Sequence, residues 1–290
     1  MLEQNKKFVF YILAFLLLFN VLAWFAVCDL DKARFLEVTF FDVGQGDAAF
    51  IKTSQQHQVL IDGGPSSAVL EKLGREMPFW DRTIDLIILT HPEKDHMTGL
   101  IEVLKRYKVE NILWTGVLRD TAEFKEWQKA IEEEKDKDGA KIEIARSLLR
   151  INFNNSYIDI LNPLENLEGQ KIKDSNNTSI VAKLVFGENS FLFTGDIKKS
   201  AEKKLLTGGA DLPSDILKVA HHGSKTSSNP DFIKKVSPDI AVISVGADNS
   251  YDHPSAETLE TLEKYGMTVF RTDIDGDIKF FSDGKKIKSR

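Results

Sequence analysis

At 290 residues, 42% hydrophobic and 28% charged, the chain has a globular composition with enough apolar surface for one large domain or two small ones, which excludes a wholly disordered chain. A formal net charge of -6 excludes a general basic field that would draw in nucleic acid, so an anionic substrate has to be held by a local site. The single cysteine, Cys28, excludes an internal disulfide and a multi-thiolate zinc site, leaving histidine and carboxylate as metal ligands.

Taken in chain order, the first predicted element is apolar. FVFYILAFLLLFNVLAWFAV, Phe8 to Val27, is long enough to cross a bilayer as a helix, and Asn20 is its only polar residue. Lys6 and Lys7 precede it, and by the positive-inside rule they keep the N-terminus cytoplasmic. The expected arrangement is a membrane anchor over residues 1–30 in the cytoplasmic membrane, single-pass, with residues 31–290 on the extracytoplasmic side. A cleaved signal peptide is the rival reading, weakened by the length of the apolar core and the lack of a clean small-x-small site. Cys28 directly after the span admits a lipoprotein signal, against which bulky Val27 stands.

After a short polar joint, FLEVTFFDVG and HQVLIDGG read as strands that stop at glycine turns. TIDLIILTH is a third strand, apolar enough to be covered on both faces, and MTGLIEVLKRYKV carries apolar residues at helical spacing. NILWTG reads as a strand, and TAEFKEWQKAIEEEKDKDGA as a solvated surface helix ending at Gly139. The second half predicts strands at YIDILNP, SIVAKLVFG, NSFLFTGD, ILKVAHH and IAVISVG, with helices at IKKSAEKKLL, NPDFIKKV and SAETLETLEKYG. TVFRT and DIKFFSDGKKIKS are expected to form an edge meander with turns at Asp275-Gly276 and Asp283-Gly284. The class is α/β: two mixed sheets packed together with helices outside.

The polar clusters fall just past the C-terminal ends of predicted strands, where open α/β sheets place their ligand sites. They are DVGQGDA, IDGG, THPEKDH, NNTS, FTGD, VAHHGSKTS and YDHPS, and five of the six histidines lie in them. Singly each has a plain structural reading: Asp62 before two glycines as turn chemistry, Asp196 as a turn or cap, His253 as a surface or core residue. Together they point to a metal. H-x-E-x-D-H sets His91, Glu93 and Asp95 at alternate positions of a short extended loop, so that one side presents three ligands, with His96 adjacent.

On these motifs the chain resembles the metallo-β-lactamase fold hydrolases, and within them the hydrolase domain of the ComEC/Rec2 competence family, over roughly residues 35–281. The resemblance implies an αβ/βα four-layer sandwich of two mixed sheets behind the one N-terminal transmembrane helix. It assigns His91 and Glu93 to a first metal pocket, Asp95 and His96 to a second, Asp196 as the bridging carboxylate, His221 as the late histidine and His253 as a further ligand. Glu93 stands where most members have histidine, and NNTS where many have another histidine, which makes the first pocket harder and poorer in nitrogen. The expected cofactor is therefore two divalent ions, manganese or zinc, with one pocket of weaker occupancy.

Hydrolysis by metal-activated hydroxide is the reaction implied, on phosphodiester bonds of DNA in a DNA-uptake role, with single-stranded DNA or another phosphodiester as the partner substrate and Asp95, His221 and Ser224 as catalytic residues. Lys225, Thr226, Ser227 and Asn177 are expected to hold substrate, although residues 224–227 also read as an ordinary polar loop before a helix capped at Ser228 or Asn229. Asp42, Asp47 and Asp62 are expected to support the site. No obligate protein partner is implied beyond the membrane and the substrate. Hydrolysis of another exported ester or lactam, or a non-catalytic DNA- or partner-binding module with a structural metal, are the alternatives.

Overall fold

The structure, a computed structural model, describes the backbone of residues 2–30 and 35–290 and the side chains of 6–24 and 35–290, so the Cys28 side chain lies outside the described residues. The chain divides into two compact units, Met1–Arg34 and Phe35–Arg290. The described residues of the first include the helix α1 (Leu2–Leu30). Its segment Lys6–Trp24 has a mean hydropathy of 2.1 and is long and apolar enough to cross a membrane. Asn20 turns its amide back onto the Leu16 carbonyl at 2.8 Å, satisfying the polar side chain within the helix itself.

The second unit begins with an antiparallel meander, β1 (Leu36–Phe40), β2 (Ala49–Lys52) and β3 (Gln58–Ile61). Helices α2 (Ala68–Glu76), α3 (Lys94–Leu104) and α4 (Ala122–Asp138) then carry the chain across to three parallel strands, β4 (Thr83–Ile88), β5 (Lys108–Trp114) and β6 (Lys141–Ile144). The second sheet repeats the pattern. β7 (Arg150–Phe153), β8 (Ser156–Asn162), β9 (Val181–Phe186) and β10 (Asn189–Phe193) are antiparallel. β11 (Ile216–Lys218), β12 (Ile240–Ile243) and β13 (Thr268–Arg271) follow in parallel, after α5 (Lys199–Thr207), α6 (Pro230–Val236) and α7 (Ala256–Lys264).

Strand periodicity builds the layers. In β1, Leu36, Val38 and Phe40 face the core between the sheets; in β3, Val59 and Ile61 do so while Leu60 faces the helices. In β4, Leu86 and Ile88 join the inter-sheet core and Ile87 the helix side, which is why this strand reads as an unbroken apolar run. Phe40 stacks on Phe193 of the opposite sheet at 5.7 Å. Two further cores lie under α2–α4 and under α5–α7, giving the helix–sheet–sheet–helix layering that the sequence predicts.

Three expectations are corrected. TVFRT and DIKFFS do not form one meander: β13 ends the second sheet, and after α8 (Thr272–Asp275) the chain returns to the first, where β14 (Ile278–Ser282) pairs with β1 and β15 (Ile287–Ser289) with β14. Pairing β14 with β1 places Ile278 and Phe280 in the inter-sheet core, a gain unavailable to a solvent-facing hairpin. The charged helix α4 is not wholly solvated, since Phe124, Trp127 and Ile131 form a buried stripe and buried Glu134 accepts the Val109 N–H at 2.6 Å. The H-x-E-x-D-H stretch is not one extended loop: Glu93 is the extended N-cap of α3, and Asp95 and His96 stand in its first turn.

Candidate metal centre

Three chain segments meet beyond the C-terminal ends of β4, β10 and β11. The first turn of α3 supplies Asp95 and His96, the turn after β10 supplies Asp196, and the turn after β11 supplies His221 and His222. Local backbone explains the approach. Gly195 takes φ +50, and a Cβ there would sit 2.7 Å from Ser179 Cβ, so glycine lets the turn close onto the Ser179 hydroxyl that accepts the Asp196 N–H at 3.0 Å. His221 and His222 both take left-handed backbone, φ 53 and 54, a costly choice for two successive non-glycine residues and the kind of strain that marks functional turns.

The result is a convergence of donors. Asp95, His96, Asp196 and His222 each offer a ligand atom, all within 4.8 Å of one another. His222 Nε2 lies 3.3 Å from Asp95 Oδ2 and 3.4 Å from Asp196 Oδ2, and His96 Nε2 lies 3.5 Å from Asp196 Oδ2. His91 packs against His96 with ring centroids 4.2 Å apart. Nε2 of His91, His96 and His222 and Oδ1 of Asp196 are buried and have no hydrogen-bond partner among the described residues. Four unpaired buried polar atoms at one point are costly, and a cation is the species that satisfies imidazole lone pairs and carboxylate oxygens together. The residues therefore fit a divalent metal.

A surrounding shell fixes the imidazoles. Asp62 accepts from His96 Nδ1 at 2.8 Å and from the Thr90 N–H and hydroxyl at 2.8 and 2.7 Å. The Thr90 oxygen, its own proton given to Asp62, accepts from His91 Nδ1 at 3.1 Å, which leaves the His91 Nε2 lone pair free. His222 Nδ1 donates to the Ser244 carbonyl at 2.9 Å and lies 3.3 Å from Asp47 Oδ1. This is the outer-shell pattern that holds a ligating histidine in one tautomer. Beneath it, buried Lys218 pairs with Asp47 and stands 3.8 Å from Asp196 Oδ1.

Electrostatics follow from burial and charge. Burial, with His96 close by, pushes the His91 imidazole down to about 3, so it stays neutral. Burial alone would lower His96 and His222 as well, but the carboxylates, Asp196 foremost, outweigh it and raise both well above the usual imidazole range. The cluster of acids holds positive charge on these rings when nothing else supplies it.

Other residues singled out in the sequence are placed less centrally. His221 Nε2 is 3.9 Å from Asp196 Oδ2 but accepts from the Asn176 amide at 3.2 Å, while its Nδ1 meets the Thr226 hydroxyl at 3.1 Å. Glu93 lines the cleft, its carboxylate accepting from Ser175 Oγ and paired with Arg119 at 2.9 Å. Ser224 is buried and bonds Thr226 at 3.0 Å, and Ser227 donates to the Ile197 carbonyl at 2.8 Å. Asn177 is tied to the Lys198 N–H and Ser200, and Asn229 caps α6. Lys225 is exposed. Asp42 braces the turn at Gly44 through its carboxylate and does not join the cluster. The late histidine brought into the four-residue group is thus His222, not His221, and the site gains Lys218, Thr90, Asn176 and Arg119. Of these, Thr90, Asn176 and the doubled histidine lie in THPEKDH, NNTS and VAHHGSKTS, whereas no motif singles out Lys218 or Arg119. The neighbours Leu217 and Val219 of Lys218 are core residues, a faint sign that its side chain is not at the surface. A cleft of about 170 Å³ opens over the cluster, walled also by Gln45, Tyr251 and His253.

A family model described as the metallo-beta-lactamase superfamily matches residues 41–247. ComE operon protein 3 of Bacillus subtilis (strain 168) is 31% identical over 262 residues, covering 84% of this chain and 33% of that protein. Competence protein ComA of Neisseria gonorrhoeae is 29% identical over 245 residues, covering 84% of this chain and 32% of that protein. The chain thus spans about a third of the length of these curated relatives. Among solved structures, the metallo-beta-lactamase fold protein YhfI from Bacillus subtilis has a TM-score of 0.54 at 12% identity, covering 85% of this chain and all of that one, a likeness of fold.

Proposed function

Since the chain belongs to the metallo-beta-lactamase superfamily and its unpaired buried donors converge at one cleft, we propose that it is a membrane-anchored, metal-dependent hydrolase of phosphodiester bonds, with single-stranded DNA as its substrate. The observation that carries the reading is that convergence, because a site closed by its own hydrogen bonds would have no use for a cation. Asp95, His96, Asp196 and His222 hold one ion, a set of two imidazoles and two carboxylates that suits zinc or manganese. His91, with Glu93 and Asp196, forms the neighbouring, weaker pocket, since Arg119 and Ser175 already engage the Glu93 carboxylate.

When bound, such an ion supplies an acidified water and neutralises charge building on phosphoryl oxygens. The chain does the positioning. Asp62 and the Ser244 carbonyl keep the Nε2 lone pairs of His96 and His222 turned inward. Asp95, the least buried of the four, presents its carboxylate to the cleft, where it orients the attacking water. Lys218 holds Asp47, and with it the outer shell, beneath the ion.

The DNA substrate is supported by the similarity to a relative named competence protein ComA. The anchor is supported by α1, and the extracytoplasmic position of residues 31–290 by Lys6 and Lys7 ahead of the span. The test uses the full chain in detergent with single-stranded DNA and manganese or zinc. Cleavage is expected from the wild type and should fall at least about 100-fold in Asp196→Asn, the scale on which loss of electrostatic stabilisation is felt; equal cleavage by both would refute the proposal.

A further inference from the structure

The loop between β12 and α7 is organised by one side chain. Asn249 Nδ2 donates to the carbonyls of Gly246 at 3.0 Å and His253 at 2.7 Å, while its Oδ1 accepts the N–H groups of Tyr251 at 3.2 Å and His253 at 3.0 Å. Both donors and both acceptor positions of the carboxamide are used, so the loop is pre-organised. Yet its tip carries a large aromatic ring in water: Tyr251 is 67% exposed.

That ring is not loose. It lies on the His253 imidazole with centroids 5.7 Å apart and planes 24° from parallel, and His253 meets His221 edge-on at 5.7 Å. The stack therefore runs outward from the metal cluster. Tyr251 and His253 wall the same cleft as Asp95, Asp196 and His222. Nδ1 of His253 is buried with no hydrogen-bond partner among the described residues.

A fixed, exposed aromatic face, backed by His253 and set at the wall of the cleft, suits a flat heteroaromatic ligand stacked on it. At -6 the surface gives a polyanion little general attraction, so beyond the metal cluster affinity has to come from local contacts such as base stacking. We propose that Tyr251 and His253 form a nucleobase subsite, in which an unpaired base stacks on Tyr251 while the adjoining phosphodiester reaches the metal cluster. The proposal rests on the phosphodiesterase reading above and deepens it by naming the side chains that recognise an unpaired base. A duplex keeps its base faces stacked and paired, and a polymer of base-free phosphodiesters has nothing to lay on the ring, so the substrate class is single-stranded nucleic acid.

The test measures two quantities on the full chain in detergent, wild type, Tyr251→Ala and Tyr251→Phe. KM is measured for a single-stranded oligonucleotide and for the same strand made abasic, and binding is followed by quenching of 2-aminopurine in an uncleavable phosphorothioate strand. Tyr251→Ala should raise KM for the base-bearing strand by roughly 5- to 150-fold, the range of one base–aromatic stack. Its KM for the abasic strand should match that of the wild type, and Tyr251→Phe should restore both the low KM and the quench. An unchanged KM and quench in Tyr251→Ala, or a wild type that treats the two strands alike, would overturn the subsite. If no strand is cut but the quench still depends on Tyr251, the subsite stands and the phosphodiesterase reading falls; if there is neither cleavage nor quench, both fall.

Discussion

Replacing Asp62 by asparagine exchanges one oxygen for an NH₂ group and turns the acceptor of two hydrogen bonds into a donor. Asp62 Oδ1 accepts the Thr90 N–H, and Oδ2 accepts both the Thr90 hydroxyl and His96 Nδ1. With the asparagine carbonyl kept on the Thr90 N–H, its NH₂ group faces Nδ1. The Thr90 hydroxyl can rotate to accept, but two N–H donors cannot face each other, so His96 must move its proton to Nε2, the atom turned towards the metal cluster. The ligand lone pair is lost or must be recovered against that preference. Outer-shell changes of this kind cost about 10- to 100-fold in metal affinity, or roughly 1.4 to 2.7 kcal/mol. A competition titration with zinc or manganese measures the affinity, and thermal unfolding of the metal-free protein shows whether the fold survives. Asp42→Asn, a carboxylate that braces the Gly44 turn outside the cluster, serves as the control and should bind metal as the wild type does. An Asp62→Asn protein that folds and binds with unchanged affinity would refute the outer-shell reasoning.

Other perturbations separate neighbouring roles. His222→Ala removes a converging donor and should weaken metal binding by about 100-fold or more, whereas His221→Ala, whose Nε2 already accepts from Asn176, should weaken it less than about tenfold; both are read in the same titration. Glu202 is buried beneath the Ser228 and Asn229 N–H groups, and burial raises its carboxyl from 4.5 to about 7. Because the folded value lies above the unfolded one, its contribution is fully present below about pH 4.5 and is lost as pH rises through about 7, a fall of roughly 3 kcal/mol that urea denaturation at pH 5 and pH 8 should show and that Glu202→Gln should flatten. Trp127→Ala should cost about 3–5 kcal/mol in the same assay, since this fully buried ring anchors α4; a loss below about 1 kcal/mol would mean the helix is as solvated as its charges suggest.

Much of the architecture is legible in the sequence because it rests on period and punctuation. Runs such as TIDLII and SIVAKLVF show strands covered on both faces, and the polar clusters that follow them stand where parallel strands end. What cannot be read depends on contacts between distant segments. His221 and His222 are chemically equal neighbours, and only the left-handed backbone at both decides which imidazole joins Asp95, His96 and Asp196. Lys218 has the composition of a surface residue, and its burial beside Asp47 follows from strand register in the folded sheet. The hydroxyls of Ser224 and Ser227 look suited to holding phosphate, but in the fold they bond Thr226 and the Ile197 carbonyl. The strand β14 is assigned to the wrong neighbour by sequence proximity, since the partner that buries Phe280 is β1, more than two hundred residues earlier.

Hydrolysis is proposed to depend on a metal held by the converging side chains. The most direct measurement titrates manganese or zinc into the chelator-stripped full chain while recording bound metal and cleavage of single-stranded DNA in the same samples. Cleavage should be absent without metal and rise in step with occupancy, and Asp196→Asn should lose both. Cleavage that persists in the stripped protein, or a fully loaded protein that cuts nothing, would contradict the account.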